Sequence, residues 1–199
     1  TVGEHEFVTV IGTNGSGKST LLNAIAGNIV PDAGRITING SEVTAKADFQ
    51  RAKYISRVFQ NPFSGTAPGM TIAENLLMAY NRGRHSYPVI NLNAKLRDYF
   101  REQLAILDMN LENRLETIMG SLSGGQRQAI TLLMAVLRPP MVLLLDEHTA
   151  ALDPKSANQI IKLTRRFIKE YRLTTLMVTH SMQQALELGT RTIMMHHGQ

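Results

Sequence analysis

Apolar residues recur along this chain with two periods that alternate, short strand-like runs giving way to helical spacing and back again. Phe7-Val8-Thr9-Val10-Ile11 is short and rich in β-branched and aromatic residues, which predicts a buried strand. Leu21-Leu22-Asn23-Ala24-Ile25-Ala26 has the spacing of a short helix that stops at Gly27. Pro31-Asp32-Ala33-Gly34 reads as a turn, and Arg35-Ile36-Thr37-Ile38 as a short strand running into a second turn at Asn39-Gly40. A helical turn is expected over 48–52, and a strand over 54–59 that delivers Gln60-Asn61-Pro62 into a loop.

From residue 63 to 122 the strong signals are all helical. Thr71-Ile72-Ala73-Glu74 is a capping box opening a helix to about Tyr80. Asn93 caps a longer helix, along which Leu96, Tyr99, Phe100, Leu104 and Leu107 recur on one face, and residues 82–91, with Gly83 and Pro88, form the loop between. The strand–helix alternation then resumes. A helix is expected from Gly124 to about Leu137, stopped by Pro139-Pro140, and the unbroken apolar run Met141-Val142-Leu143-Leu144-Leu145 is that of a central parallel strand covered on both faces. Asp153-Pro154 supplies a cap and a first-turn proline for a helix to about Tyr171. A strand over 174–179, a helix over 182–188 and a strand over 192–195 complete the pattern.

Between the first strand and the first helix lies Gly12-Thr13-Asn14-Gly15-Ser16-Gly17-Lys18-Ser19-Thr20. Glycines let a backbone curl until its N–H groups converge, and the following helix adds the positive end of its dipole, so strand, glycine loop and helix together make a polyphosphate cradle. Lys18 then reaches the β- and γ-phosphates and the Ser19 hydroxyl sits on Mg²⁺. The predicted fold is therefore α/β: a phosphate-loop NTPase core over 1–62 and 123–199 with a mostly parallel central sheet, a small N-terminal β portion, and an inserted helical subdomain over 63–122. Asp146-Glu147 follows the central strand and His180 a later one, at the carboxyl ends of strands, where open α/β sheets bind ligands. In Leu122-Ser123-Gly124-Gly125-Gln126, Ser123 caps a helix whose two glycines expose N–H groups, a second anion-binding helix terminus.

Composition narrows this picture without redirecting it. The 199 residues are 43% hydrophobic and 19% charged, enough for one domain with a real core. The 21 basic and 16 acidic residues leave a net charge of +5. The excess falls at Arg82, Arg84, Lys95, Arg97 and Arg101 and at Lys162, Arg165, Arg166, Lys169 and Arg172, without the interleaved aromatics of a nucleic-acid platform; these are solvated helix faces suited to lie near an anionic membrane surface. With no cysteine, disulfides and thiolate metal sites are excluded. No apolar run reaches the ~18 residues that cross a bilayer, so work at a membrane requires a separate spanning subunit. Residues 1–6 leave no room for a full strand before the glycine loop, so the chain is expected to be clipped from a longer one.

In this order the motifs resemble the nucleotide-binding subunits of ATP-binding-cassette (ABC) transporters. Residues Gly12 to Ser19 are similar to the Walker A loop, Gln60 to the Q-loop glutamine, and Leu122 to Gln126 to the signature. Met141 to Asp146 resemble Walker B with Glu147 after it, Ala150-Ala151-Leu152-Asp153 the D-loop, and His180 the switch histidine. The resemblance implies a Mg²⁺-dependent ATPase. In it Gly12, Asn14, Gly15, Ser16, Gly17, Lys18, Ser19 and Thr20 bind nucleotide, and Ser19, Gln60 and Asp146 hold Mg²⁺. Glu147, His180, Gln60 and Lys18 act in hydrolysis. It also implies that Ser123, Gly124, Gly125 and Gln126 of one subunit cover the ATP held by another, with Asp153 in the D-loop, so that two copies close head to tail.

The partners implied are a second ATPase subunit, a membrane permease and a substrate-binding protein, with no nucleic acid, and the place implied is the cytoplasmic face of the cell membrane. The stretch His148-Thr149-Ala150-Ala151-Leu152-Asp153 resembles amino-acid uptake systems. There the chain also departs from the family pattern, which has proline and serine after the glutamate, so the rigidity of proline is missing. The adenine-stacking aromatic is expected upstream of Thr1. The alternative class is the soluble ABC ATPases of translation or DNA repair, but the 60–122 interval has neither the length nor the heptads of their coiled-coil insertions; a nucleotide-binding subunit without turnover conflicts with Lys18, Asp146, Glu147 and His180 together.

Overall fold

A computed structural model describes residues 1–83 and 92–198. The predicted 82–91 loop lies outside the described residues from Arg84 onward, Pro88 included, as does Gln199. The chain divides into two compact units, the first made of Thr1–Arg57, Pro140–Glu147 and Phe167–Gln199, the second of Val58–Pro139 and His148–Arg166.

The first unit is built on a five-stranded sheet. Strands β1 (Phe7–Gly12), β4 (Ile55–Val58), β5 (Val142–Asp146), β6 (Thr174–Val178) and β7 (Arg191–Met195) run in the spatial order β4-β5-β6-β1-β7. The β5–β6, β6–β1 and β1–β7 pairs are parallel. The unbroken apolar run of β5 is explained by its position: Leu143, Leu144 and Leu145 are all fully buried. On one face Val8, Val10, Leu144, Leu176 and Val178 pack with Leu22 of helix α1 (Lys18–Ala26). Each such side chain contributes about 1.5–3 kcal/mol when buried.

Helix α1 starts earlier than the apolar spacing suggests. It begins at Lys18 because Gly17, at φ 98°, caps it from the left-handed region, so the helix grows directly out of the glycine loop. Its other end is held by Arg51, at the close of the short helix α2 (Asp48–Arg51), whose buried guanidinium donates to the carbonyls of Ala24 and Ile25 at 2.6 and 2.7 Å. Thr37–Ile38 (β2) and Ser41–Glu42 (β3) form an antiparallel hairpin across Asn39-Gly40, both at positive φ as a two-residue turn requires. Helix α7 (Met182–Leu188), which packs on β1, opens with Ser181 accepting from the Gln184 N–H.

The second unit is helical. Helix α3 (Ile72–Tyr80) opens with the predicted capping box: Thr71 Oγ1 accepts from the Glu74 N–H, and Glu74 Oε2 accepts from the Thr71 N–H. Helix α4 (Ala94–Ala105) is capped by Asn93, and its Tyr99 and Phe100 meet Tyr80 with ring centroids 6.0 and 6.1 Å apart. Helix α5 (Gly124–Val136) is buried around most of its circumference, and Arg82 donates to the Ala135 and Arg138 carbonyls at its end. Helix α6 (Pro154–Tyr171) begins in this unit at Asp153, whose Oδ1 accepts from the Ser156 N–H at 3.0 Å. Beyond residues 63–122, then, this unit takes in α5 and residues 148–166.

Candidate functional site

Register alone gathers four predicted groups at one edge of the sheet. Val178 of β6 pairs with Val10 of β1 on one side and with Asp146 of β5 on the other, so these three residues form one row. Gly12 and His180 lie two residues beyond that row and Glu147 one beyond it, so the glycine loop, both acids and the histidine emerge at the same carboxyl end.

The loop has the backbone a cradle needs. Gly12, Gly15 and Gly17 have φ of 154°, 78° and 98°. At Gly12 a Cβ would stand 2.3 Å from the Met195 carbonyl oxygen and 2.7 Å from Ser16 Oγ, so only glycine lets the loop turn against β7. The segment after β7 supports the loop from below as well, the Gly198 N–H donating to the Ser16 carbonyl. Ser16 Oγ is buried and has no hydrogen-bond partner among the described residues. Such a group is costly unless the loop's contents satisfy it. Lys18 is buried, and its Nζ donates to the Gly12 and Thr13 carbonyls, each at 2.9 Å, so the ammonium is held at the loop itself. Asn14, Gly15, Ser19 and Thr20 are exposed, the last two in the first turn of α1.

Both acids are already engaged. Arg57 Nη2 donates to Asp146 Oδ2 at 2.5 Å, and its Nη1 donates to Asn23 Oδ1 at 2.6 Å. His180 Nε2 stands 2.6 Å from Glu147 Oε1. Glu147 has φ 45°, a left-handed conformation that a carboxylic side chain rarely adopts, and its N–H donates to the Val178 carbonyl at 3.0 Å. Strain of this kind gathers at functional positions.

The other predicted residues belong to the second unit. Ser123 caps α5, its Oγ accepting from the Gln126 N–H and its own N–H donating to Gln126 Oε1, both at 3.3 Å. Ser123 and Gly124 are exposed; Gly125 is buried, and a Cβ there would stand 2.7 Å from Ser156 Oγ, so close approach of α5 and α6 also requires that glycine. Arg127 braces the preceding turn by donating to the Gly120 and Leu122 carbonyls, and its guanidinium carbon lies 3.7 Å from the centre of the Phe63 ring. Asp153 is held below the usual carboxylate range by hydrogen bonds from the Ser156 side chain and backbone. Gln60 is exposed in the bend after β4.

The missing proline after Glu147 has a substitute. Gln128 Nε2 donates to the His148 carbonyl at 2.7 Å and to the Phe59 carbonyl at 3.3 Å. The buried His148 ring pairs through Nε2 with Thr164 Oγ1 at 3.0 Å. Hydrogen bonds fix this backbone where a ring would otherwise do so. Sequence reasoning passed over Arg57, Asn23, Gln128, Met195 and Ser181; of these only Ser181, directly before a helix with Gln184 at the third helical position, left a local signal.

Residues 1–150 match the family described as ABC transporter. The chain is 47% identical over 197 residues to a tyrosine transport ATP-binding protein of Clostridioides difficile (strain R20291), spanning 98% of this chain and 77% of that one. It is 34% identical over 200 residues to the thiamine import ATP-binding protein ThiQ of Escherichia coli (strain K12), spanning 100% of this chain and 80% of that one. Its structure resembles that of the ATP-binding cassette MJ0796 as a dimer in a post-hydrolysis state bound to ADP and Pi, with a TM-score of 0.80, 29% identity, and coverage of 100% of this chain and 84% of that chain.

Proposed function

The chain belongs to the ABC transporter family, and from that premise we propose how its residues hydrolyse ATP to drive import of a small organic solute through a separate permease. The observation that carries the reading is the single row that sets the Lys18 loop, Asp146, Glu147 and His180 at one sheet edge.

The left-handed glycines 12, 15 and 17, the unpaired Ser16 hydroxyl and the N-terminus of α1 fit a triphosphate. Lys18 exchanges its two carbonyl partners for phosphate oxygens. Ser19 and Asp146 offer hard oxygen donors, which suit an ion that keeps its waters and shares the substrate's phosphates. Ser19 and Asp146 would hold Mg²⁺, with Gln60 as the family resemblance implies, and the ion would neutralise charge on the phosphates. Glu147 orients and deprotonates the attacking water, and His180, beside it, contacts the γ-phosphate. Asn14, Gly15 and Thr20 complete the nucleotide contacts.

Ser123, Gly124, Gly125 and Gln126 present a capped helix N-terminus suited to the γ-phosphate of ATP bound by a second copy, with Asp153 of the D-loop alongside. The helical residues 63–122 and the Gln60 loop pass closure of the dimer to the permease. No described helix is long and apolar enough to cross a membrane, and the protein acts at the cytoplasmic face through its partner. The relatives named for tyrosine transport and thiamine import support an importer, the former pointing to an amino-acid-type solute.

ATPase activity per subunit, measured against protein concentration, tests the shared site. Activity rises steeply as copies pair or assemble on the permease; a concentration-independent rate from a proven monomer overturns it.

A further inference from the structure

We infer that Arg57 is a positioning residue that ties the Asp146 carboxylate to helix α1, and that the Mg²⁺-dependent part of nucleotide binding relies on this brace. The inference rests on the metal role proposed for Asp146. Arg57 Nη2 donates to the carboxylate at Oδ2, at 2.5 Å, and a carboxylate has two oxygens with which to take several partners at once. Its other terminal nitrogen is anchored on Asn23 Oδ1 at 2.6 Å and reaches Asn28 Oδ1 at 3.4 Å. Asn23 belongs to the same helix as Ser19, one turn further on, so the guanidinium bridges the two elements that carry the proposed metal donors.

The Arg57 and Asp146 side chains are only 12% and 14% exposed, so solvent screens their attraction weakly and the carboxylate is held in one orientation. An anchored guanidinium acts as a fixture rather than as a temporary counter-ion. Outer partners that orient metal-binding carboxylates typically matter about 10–100-fold in metal affinity. Charge alone has the opposite sign, because removing a cation beside Asp146 favours a second cation there; the two effects are therefore separable.

The test uses the intact protein in an E147Q background, which preserves bound nucleotide, and titrates a trinitrophenyl-ATP probe in EDTA and in excess Mg²⁺. The ratio of the two Kd values measures the Mg²⁺ contribution, and thermal unfolding verifies folding. Asn23→Ala, which releases the anchor and keeps the charge, and Arg57→Met both lower the ratio about tenfold. A ratio unchanged in Asn23→Ala, or raised in Arg57→Met, while Asp146→Asn abolishes it, overturns the brace and leaves the metal role standing. An Asp146→Asn protein that keeps the ratio removes the metal role, and the inference with it.

Discussion

His180 and Glu147 meet at 2.6 Å, ring nitrogen to carboxylate, although 33 residues separate them, because each follows the end of neighbouring strands by one or two positions. A carboxylate so placed is oriented before any water arrives. Glu147→Gln keeps the shape and hydrogen-bonding reach of the side chain but abolishes its basicity. Hydrolysis falls about 10²- to 10⁴-fold while ATP binding persists, and the ATP-bound dimer becomes long-lived on size-exclusion chromatography. Turnover near that of the unaltered protein assigns the base elsewhere.

Lys18 satisfies two loop carbonyls at 2.9 Å, so it contributes to the loop's shape as well as to its charge. Lys18→Ala loses both, and turnover at saturating ATP drops by about 10²- to 10³-fold, with weaker nucleotide binding in a fluorescence titration. If affinity and turnover survive, the ammonium is structural only.

Gly125 lies against Ser156, with room for no methyl group: the added carbon would approach Ser156 Cβ to 2.9 Å. Gly125→Ala therefore destabilises the protein by about 1–3 kcal/mol in urea unfolding, and Ser156→Gly in the same chain recovers a large part of the loss. Additive effects of the two changes mean that the helices do not meet at this pair.

Burial holds the His148 imidazole neutral, with its pKa pushed down from 6.5 to about 4. Between those values the unfolded chain binds a proton that the folded protein refuses. Stability is therefore complete above about pH 6.5 and declines as pH falls toward 4, by up to about 3 kcal/mol at roughly 1.4 kcal/mol per pH unit. Urea midpoints across pH 4 to 7 show this slope, and His148→Gln flattens it. An equal slope in the variant traces the acid sensitivity to other groups.

Local chemistry was legible in the sequence and distant pairing was not. The Thr71–Glu74 box, the Asn93 and Ser123 caps and the covered strand β5 each declare themselves within a few residues, because helix caps and strand burial are set by near neighbours. The order of motifs also placed the glycine loop, the acids and His180 in one chemistry. Arg57 was silent because its partner lies 89 residues away and only strand order makes them neighbours. Gly12 read as a loop glycine, but its strictest demand is set by the Met195 carbonyl near the opposite end of the sequence. Likewise the Gln128 clamp on His148 joins residues 20 apart, and nothing in either one's own neighbourhood announces it.

β1 is flanked by β6 and β7, both drawn from the last quarter of the sequence. On the ribosome the strand that carries the glycine loop is made well before either neighbour, and it stays without both until β6 and β7 have emerged. The nascent protein thus exposes an apolar segment over that interval, and a translation arrest between the glycine loop and β6 yields a product with that loop but without the strands that hold it.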